Sequence, residues 1–159
     1  MIRKAKKEDL KTIEEIYEYA RDFMKKSGNP TQWGDRWPLK EVLEKDIEIG
    51  QLYVAEDDEG IYGVFAFIIG DDETYKVIEN GAWLDDSEYG TIHRAAGSKR
   101  AKGLMAEIVE FCQNKITHLR IDTHENNKIM RHVVEKLGFK RCGIIVIGDG
   151  TPRIAYEKN

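Results

Sequence analysis

The spacing of apolar positions changes several times along the chain, and each change marks an element. Leu10, Ile13, Ile16, Tyr17, Ala20, Phe23 and Met24 recur in three- and four-residue steps, one face of a helix that Ser27-Gly28 closes. Leu39, Val42, Leu43 and Ile47 predict a second helix, with Pro38 at its first position and Gly50 past its end. Ile2 to Ala5 reads as a short strand. Gln51 to Glu56 and Ile61 to Ile69 read as two more, joined by the turn Asp57-Asp58-Glu59-Gly60.

From Asp71 to Glu88 the periodicity disappears. This connection is acidic, with Tyr75, Val77, Ile78 and Trp83 scattered through it, and is expected to be functional or to hold a short helix. Pattern returns at Tyr89 with a strand, a turn containing Lys99, Arg100, Lys102 and Gly103, and a helix. Leu104, Met105, Ile108, Val109, Phe111, Cys112 and Ile116 form that helix's apolar stripe. Leu119 to Thr123 is a strand, Asn127 to Leu137 a helix closed by Gly138, and Phe139 to Ile147 a strand kinked at Gly143. The turn Gly148 to Pro152 then leads into a last strand, Arg153 to Lys158. The order β-α-α-β-β-β-α-β-α-β-β is α/β in type. Hairpins alternating with helical crossovers call for a mixed sheet.

Composition narrows the function classes. The 159 residues suit one domain, and 41% hydrophobic with 34% charged residues is ordinary for a globular protein. A net charge of −4 argues against a general nucleic-acid binder. The longest apolar run, Val64 to Ile69, is too short for a membrane span, and the charged N-terminus is unlike a signal peptide, so a cytoplasmic location is expected. Cys112 and Cys142 fit no zinc spacing and read as small core residues. His118, His124 and His132 show no ligand spacing, so no metal is expected. No Gly-x-Ser-x-Gly nucleophile elbow is present.

The strand, basic turn and helix start at Tyr89 to Ala106 make a candidate phosphate cradle. Unpaired N–H groups of Ala101, Lys102, Gly103, Leu104, Met105 and Ala106 favour an anion there, and Arg100 and Lys102 add charge. The plain alternative is a charged loop before a surface helix.

Two motifs then carry a family resemblance. Arg100-Ala-Lys-Gly103-Leu-Met105 is followed by Asp122-Thr-His-Glu-Asn-Asn127 and Lys136-Leu-Gly-Phe139. In this order and on these elements they resemble the GCN5-related N-acetyltransferases, the GNAT superfamily, over nearly the whole chain. The resemblance implies a single-domain GNAT-like fold over residues 1–159, with a mixed central sheet of about six to seven strands and about four flanking helices. It implies acetyl-CoA as acyl donor, with pyrophosphate on Arg100 to Ala106, the pantetheine arm along His93, Arg94 and Ala95, and a contact from Asn127. It also implies direct transfer, in a ternary complex, to a primary amine: a small amine, or an amino-terminal or lysyl group. The alternative is a non-catalytic acyl-CoA-binding or regulatory module of the same fold. Two positions depart from the pattern. Met105 stands where the family prefers Gly or Ala, and Val134 where it often has the Tyr that protonates the leaving thiolate.

His93 is a candidate base, since imidazole titrates near neutral pH. Asp122 precedes Asn127 at the spacing where some relatives carry a Glu base. Alternation puts Asp122 and His124 on one strand face, suited to proton removal or to a plain structural hydrogen bond. Asn127 is also a good helix cap. Cys142 and Tyr156 remain for thiolate protonation. Acceptor contacts are expected from Trp33, Trp37, Tyr75, Trp83 and Tyr89, with Asp35, Asp85, Asp86 and Glu88 attracting a cationic amine. Core packing and solvated charge are the alternative roles. A small-molecule or peptide amine is the expected partner, with no nucleic acid or membrane, and a homodimer is left open.

Overall fold

What each amphipathic segment buries decides where it sits. A computed structural model describes residues Met1–Asn159. The chain runs through strand β1 (Ile2–Lys4), helices α1 (Leu10–Lys26) and α2 (Lys40–Glu48), and strands β2 (Leu52–Asp57), β3 (Gly60–Ile69) and β4 (Gly90–Gly97). Helix α3 (Leu104–Gln113), strand β5 (Leu119–Thr123), helix α4 (Lys128–Lys136) and strands β6 (Lys140–Val146) and β7 (Pro152–Lys158) complete it. This is the element order expected from the pattern. No helix is long and apolar enough to cross a membrane.

All seven strands join one sheet in the order β1-β2-β3-β4-β5-β7-β6. Alternation along the strands gives the sheet two apolar faces. Leu52, Val54, Val64 and Ala66 pack against Ile13, Ile16 and Tyr17 of α1 and Leu43 of α2. Tyr53, Phe65, Phe67 and Ile92 pack on the other face against Met105, Ile108, Val109 and Cys112 of α3 and Val134 of α4. The sheet is therefore a layer between two helical pairs, as α/β topology requires.

Two irregularities shape the functional end. Every strand pair is antiparallel except β4–β5, whose parallel pairing is limited to Gly90–Leu119 and Thr91–Arg120. Both strands continue beyond this point without pairing to each other, so the sheet splays open. On its other side β4 carries a bulge: Val64 faces Ala96 and Ala66 faces His93, so Arg94 and Ala95 together oppose Phe65. Arg94 takes the left-handed region at φ 52, unusual for a residue with a Cβ.

One expectation needs adjustment, and two take definite form. Pro38 lies outside α2, because Leu39 is extended (φ −70, ψ 152) and serves as the N-cap of a helix that begins at Lys40. The kink at Gly143 is a bulge in the β6–β7 ladder, where Arg141 and Gly143 face Tyr156 and Ala155. The acidic connection contains only the short 3-10 turn Glu73–Tyr75. It is nevertheless fixed: Glu79 and Ile144 exchange two backbone hydrogen bonds of 2.8 Å. Gly81 lies so near β6 that a Cβ there would come within 1.9 Å of the Cys142 carbonyl oxygen.

Candidate active site

The splay between β4 and β5 opens into a cavity of about 790 Å³. Ile92, His93, Arg94 and Ala95 all line it, on the stretch of β4 that has no β5 partner. Ile121, Asp122 and Thr123 of β5 line the opposite wall. His93 and Asp122 each lie two residues past the last paired position on their strands, so they face each other across the mouth of the splay.

Both side chains are held from the acidic connection. His93 Nε2 is 2.8 Å from Asp72 Oδ2. Asp72 also accepts from Thr74 N at 2.9 Å and Thr74 Oγ1 at 2.6 Å. Burial on its own would raise the Asp72 carboxyl, but the bonds from His93 and Thr74 outweigh it and hold it at about 2. Tyr75 donates its hydroxyl to Asp122 Oδ2 at 2.6 Å, and its ring lies 6.2 Å from the His93 ring. Burial, then the Asp122 charge, pushes the Tyr75 hydroxyl well above its ordinary range, so it stays a proton donor to Asp122. Arg94 donates to the buried Asp46 at 2.7 Å, and its carbonyl accepts from Tyr17 at 2.7 Å.

The phosphate-type turn at the start of α3 has the properties an anion needs. Gly103, at φ 64, caps the helix with no side-chain hydrogen bond. The first helical bond runs from Glu107 N to the Gly103 carbonyl, so the N–H groups of Gly103, Leu104, Met105 and Ala106 find no acceptor in the chain. Ser98 Oγ is buried nearby without a partner. Met105 does not obstruct this face, because its side chain is buried in the core with Ile108 and Val109. Lys102 and Ala106 are exposed beside the N–H groups. Close seating of α3 depends on Gly63 and Gly97: a Cβ on them would approach Leu104 methyl carbons to 2.6 and 3.1 Å. Arg100 is already engaged, donating to Asp57 at 2.7 and 2.8 Å and to the Gly60 carbonyl at 2.7 Å. It ties the turn to the β2–β3 hairpin. Asn127 caps α4 by accepting from Met130 N at 3.1 Å and also lines the cavity, where its amide donates to Gln32 Oε1 at 3.2 Å.

The remaining sequence candidates divide. Trp33 and Trp37 line the cavity, whereas Tyr75, Trp83 and Tyr89 do not. Tyr75 reaches it only through Asp122. Trp83 and Tyr89 flank the Arg120 guanidinium at 3.9 and 4.0 Å. Arg120 donates to the Asp85 carbonyl at 2.7 Å, Leu84 N donates to Glu157 at 2.7 Å, and His118 bonds the same carboxylate. These aromatics thus fasten the acidic connection to the sheet. His124 falls just beyond β5, where alternation no longer holds, and its Nδ1 accepts from Asn126 N at 3.0 Å. It does not line the cavity. Asp35 pairs with Lys25, Asp85 accepts from Ser87 N at 2.7 Å, and neither these nor Asp86 and Glu88 border the cavity. Asp46, Asp72, Asp122 and Asp149 do. Cys142 is 3.6 Å from Glu157, and burial followed by that carboxylate pushes its thiol up to about 11. Tyr156 and Val134 are buried in the core. None of the three lines the cavity.

Asp46, Asp72 and Arg153 are cavity residues that the sequence did not single out. Asp72 carried a faint signal, since it begins the connection already expected to be functional. Asp46 and Arg153 carried none, one being an ordinary helix charge and the other the first residue after a Pro.

No protein-family model and no curated protein matches this chain. Solved structures do. A GNAT-family acetyltransferase from Streptococcus agalactiae 2603 is 33% identical with a TM-score of 0.89, over 99% of this chain and 94% of that one. A candidate acetyltransferase from Staphylococcus aureus Mu50 is 29% identical with a TM-score of 0.72, over 100% of this chain and 98% of that one. A Salmonella typhimurium protein solved with its cofactor acetyl-CoA shares the fold at a TM-score of 0.61 and 15% identity, over 99% and 91% of the two chains.

Proposed function

This chain belongs to the GNAT family of acetyltransferases, and from that premise we propose that it moves an acetyl group from acetyl-CoA to a primary amine by direct transfer in a ternary complex. The observation that carries the reading is the pairing of two features on one strand–turn–helix unit. The N–H groups of Gly103 to Ala106 lack acceptors, and β4 from Ile92 to Gly97 has no strand neighbour on its β5 side. The first suits a pyrophosphate and the second an extended amide-bearing arm. Acetyl-CoA supplies an activated thioester acyl group.

The chain's own groups divide the remaining work. Gly103, Leu104, Met105 and Ala106 offer backbone donors, and Lys102 adds charge at the surface. Backbone amides on the free edge of β4 at Ile92 to Ala95 are the donors available to an acyl oxygen, fixed in place by the bulge. Asp122, oriented by Tyr75, is a carboxylate on the cavity wall and draws in the acceptor ammonium. His93, oriented by Asp72, takes the proton that makes the amine nucleophilic. Trp33 and Trp37 form the apolar wall on the acceptor side. Val134 offers no hydroxyl for the departing thiolate, so the C–S bond breaks to release CoA as the thiolate, which takes its proton from water.

Thiol release from acetyl-CoA with a panel of primary amines tests this directly. Turnover with at least one amine, and an intersecting initial-rate pattern, is the expected result. CoA binding with no turnover of any amine would replace it with the non-catalytic acyl-CoA-binding module.

A further inference from the structure

The cavity's charged groups are mostly matched within the chain. Asp46 holds Arg94, Asp72 holds His93, and Asp122 accepts from Tyr75. Arg153 differs. It is only 5% exposed, yet it lines both the large cavity and an adjoining one of about 120 Å³. Its guanidinium donates only to neutral oxygens: Thr151 Oγ1 and the Pro152 carbonyl at 3.0 Å, and the Gln32 carbonyl at 3.2 Å. It has no ion pair within 4.0 Å, and Asp149, on the same cavity, reaches it only through Thr151, whose hydroxyl donates to that carboxylate. Arg131 and Arg141 also line the smaller cavity, likewise without an ion pair, and Glu125 is the one carboxylate there. A buried cation among neutral oxygens is costly to solvation, and a carboxylate matches the guanidinium fork in both charge and shape.

The register places this cation beside the proposed amine site. Asp122 faces Ala155 across the β5–β7 ladder, so Arg153 lies on the same sheet face one diagonal step away. Such a step separates the two backbone positions by about 7–8 Å, within reach of long side chains. An anionic side chain and a cationic one at that separation suit the two ends of one small zwitterion.

Resting on the acetyl-transfer reading, we propose that the acceptor is a free amino acid or similar small amine bearing a carboxylate. Its ammonium lies toward Asp122 and His93, and its carboxylate pairs with Arg153. Arg131 and Arg141 raise the positive potential behind that pair. The acceptor loop is part of the same device, because Gln32 and the β6–β7 turn fix the guanidinium from two sides.

The test is calorimetric, so it does not depend on turnover. The CoA-loaded protein is titrated with each of the common L-amino acids and with their carboxamides, for wild type, Arg153→Met and Arg153→Lys. The expected result is at least one amino acid that binds about tenfold or more tightly than its carboxamide. Arg153→Met brings that acid down to the level of its amide, and Arg153→Lys restores part of the difference. Equal binding of acid and amide to wild type, or no binding by any amino acid, overturns the proposal. Equal loss of acid and amide binding in Arg153→Met also overturns it, since that marks a merely structural residue. The two readings fail separately: selective acid binding without acetylated product contradicts only the transfer, while equal acetylation of acid and amide contradicts only the carboxylate site.

Discussion

His93 and Asp122 face each other across a gap made by the backbone, and each is held by a partner from a distant part of the chain. Replacing Asp122 by Asn keeps its shape and the Tyr75 contact but removes the charge. It is expected to lower kcat/KM by about tenfold or more, in line with loss of the charge that draws in the acceptor ammonium, with no change in fold by circular dichroism. Asp46 is a stability residue by the same logic. Its carboxylate meets Arg94 at 2.7 Å with the two side chains 4% and 15% exposed. Asp46→Ala leaves the guanidinium buried alone and is expected to cost about 3–5 kcal/mol in denaturant unfolding. The Asp72 carboxyl, ordinarily near 3.8, is held at about 2 in the folded protein. A depressed carboxyl stabilises the fold fully above its unfolded value, so this contribution is whole above about pH 4 and fades as pH falls toward 2. Melting temperatures of wild type and Asp72→Asn should therefore converge across that window. A gap of undiminished size at pH 2 would contradict the assignment. At this scale the sequence was only partly legible. The position of His93 and Asp122 near the cavity was readable because they lie on strands flanked by motifs. His124 was misplaced because β5 ends at Thr123, and Asp46 and Arg153 matter through contacts that no local pattern encodes.

Among the elements, β4 and the turn into α3 do most to define the site. The unpaired stretch of β4 puts Ile92, His93, Arg94 and Ala95 along one cavity, and nothing in a period-two pattern announces the bulge within it, since a left-handed Arg looks like any other strand residue. The helical stripes were legible for the opposite reason: Met105, Ile108, Val109 and Cys112 are buried at the positions their spacing predicts. Met105 shows what a motif alone misses, because position in the motif says nothing of which way the side chain turns. Gly97 is the element-scale weak point, since a Cβ there would meet the Ala101 Cβ at 2.9 Å and Leu104 at 3.1 Å. Gly97→Val should push α3 off the sheet, at a cost of about 1–3 kcal/mol in thermal or chemical unfolding and with weakened CoA binding. An unaltered stability would show that the turn yields freely. The acidic connection is the counterpart on the acceptor side. Its aromatics, read from sequence as acceptor contacts, are instead placed around Arg120 and Glu157, and Tyr75 passes that rigidity on to Asp122.

The whole molecule is an open sheet in which one internal pair of strands, β4 and β5, diverges. Element order alone predicted the mixed sheet, because hairpins and crossovers leave few ways to connect these strands. How far β4 and β5 pair was not predictable, since it depends on competing ladders at β3 and β7. That unpaired edge, together with the open N-terminus of α3, is where the account places the acyl donor. The most direct test is calorimetric titration of CoA into wild type and Ala106→Glu. Ala106 is exposed on the first turn of α3, where an acidic side chain favours the helix but repels a phosphate at its N–H groups. The expected result is one CoA site per chain in wild type, and binding weakened by about tenfold or more in the variant at equal or higher melting temperature. A wild-type protein that binds no CoA, or a variant that binds it equally well, would contradict it.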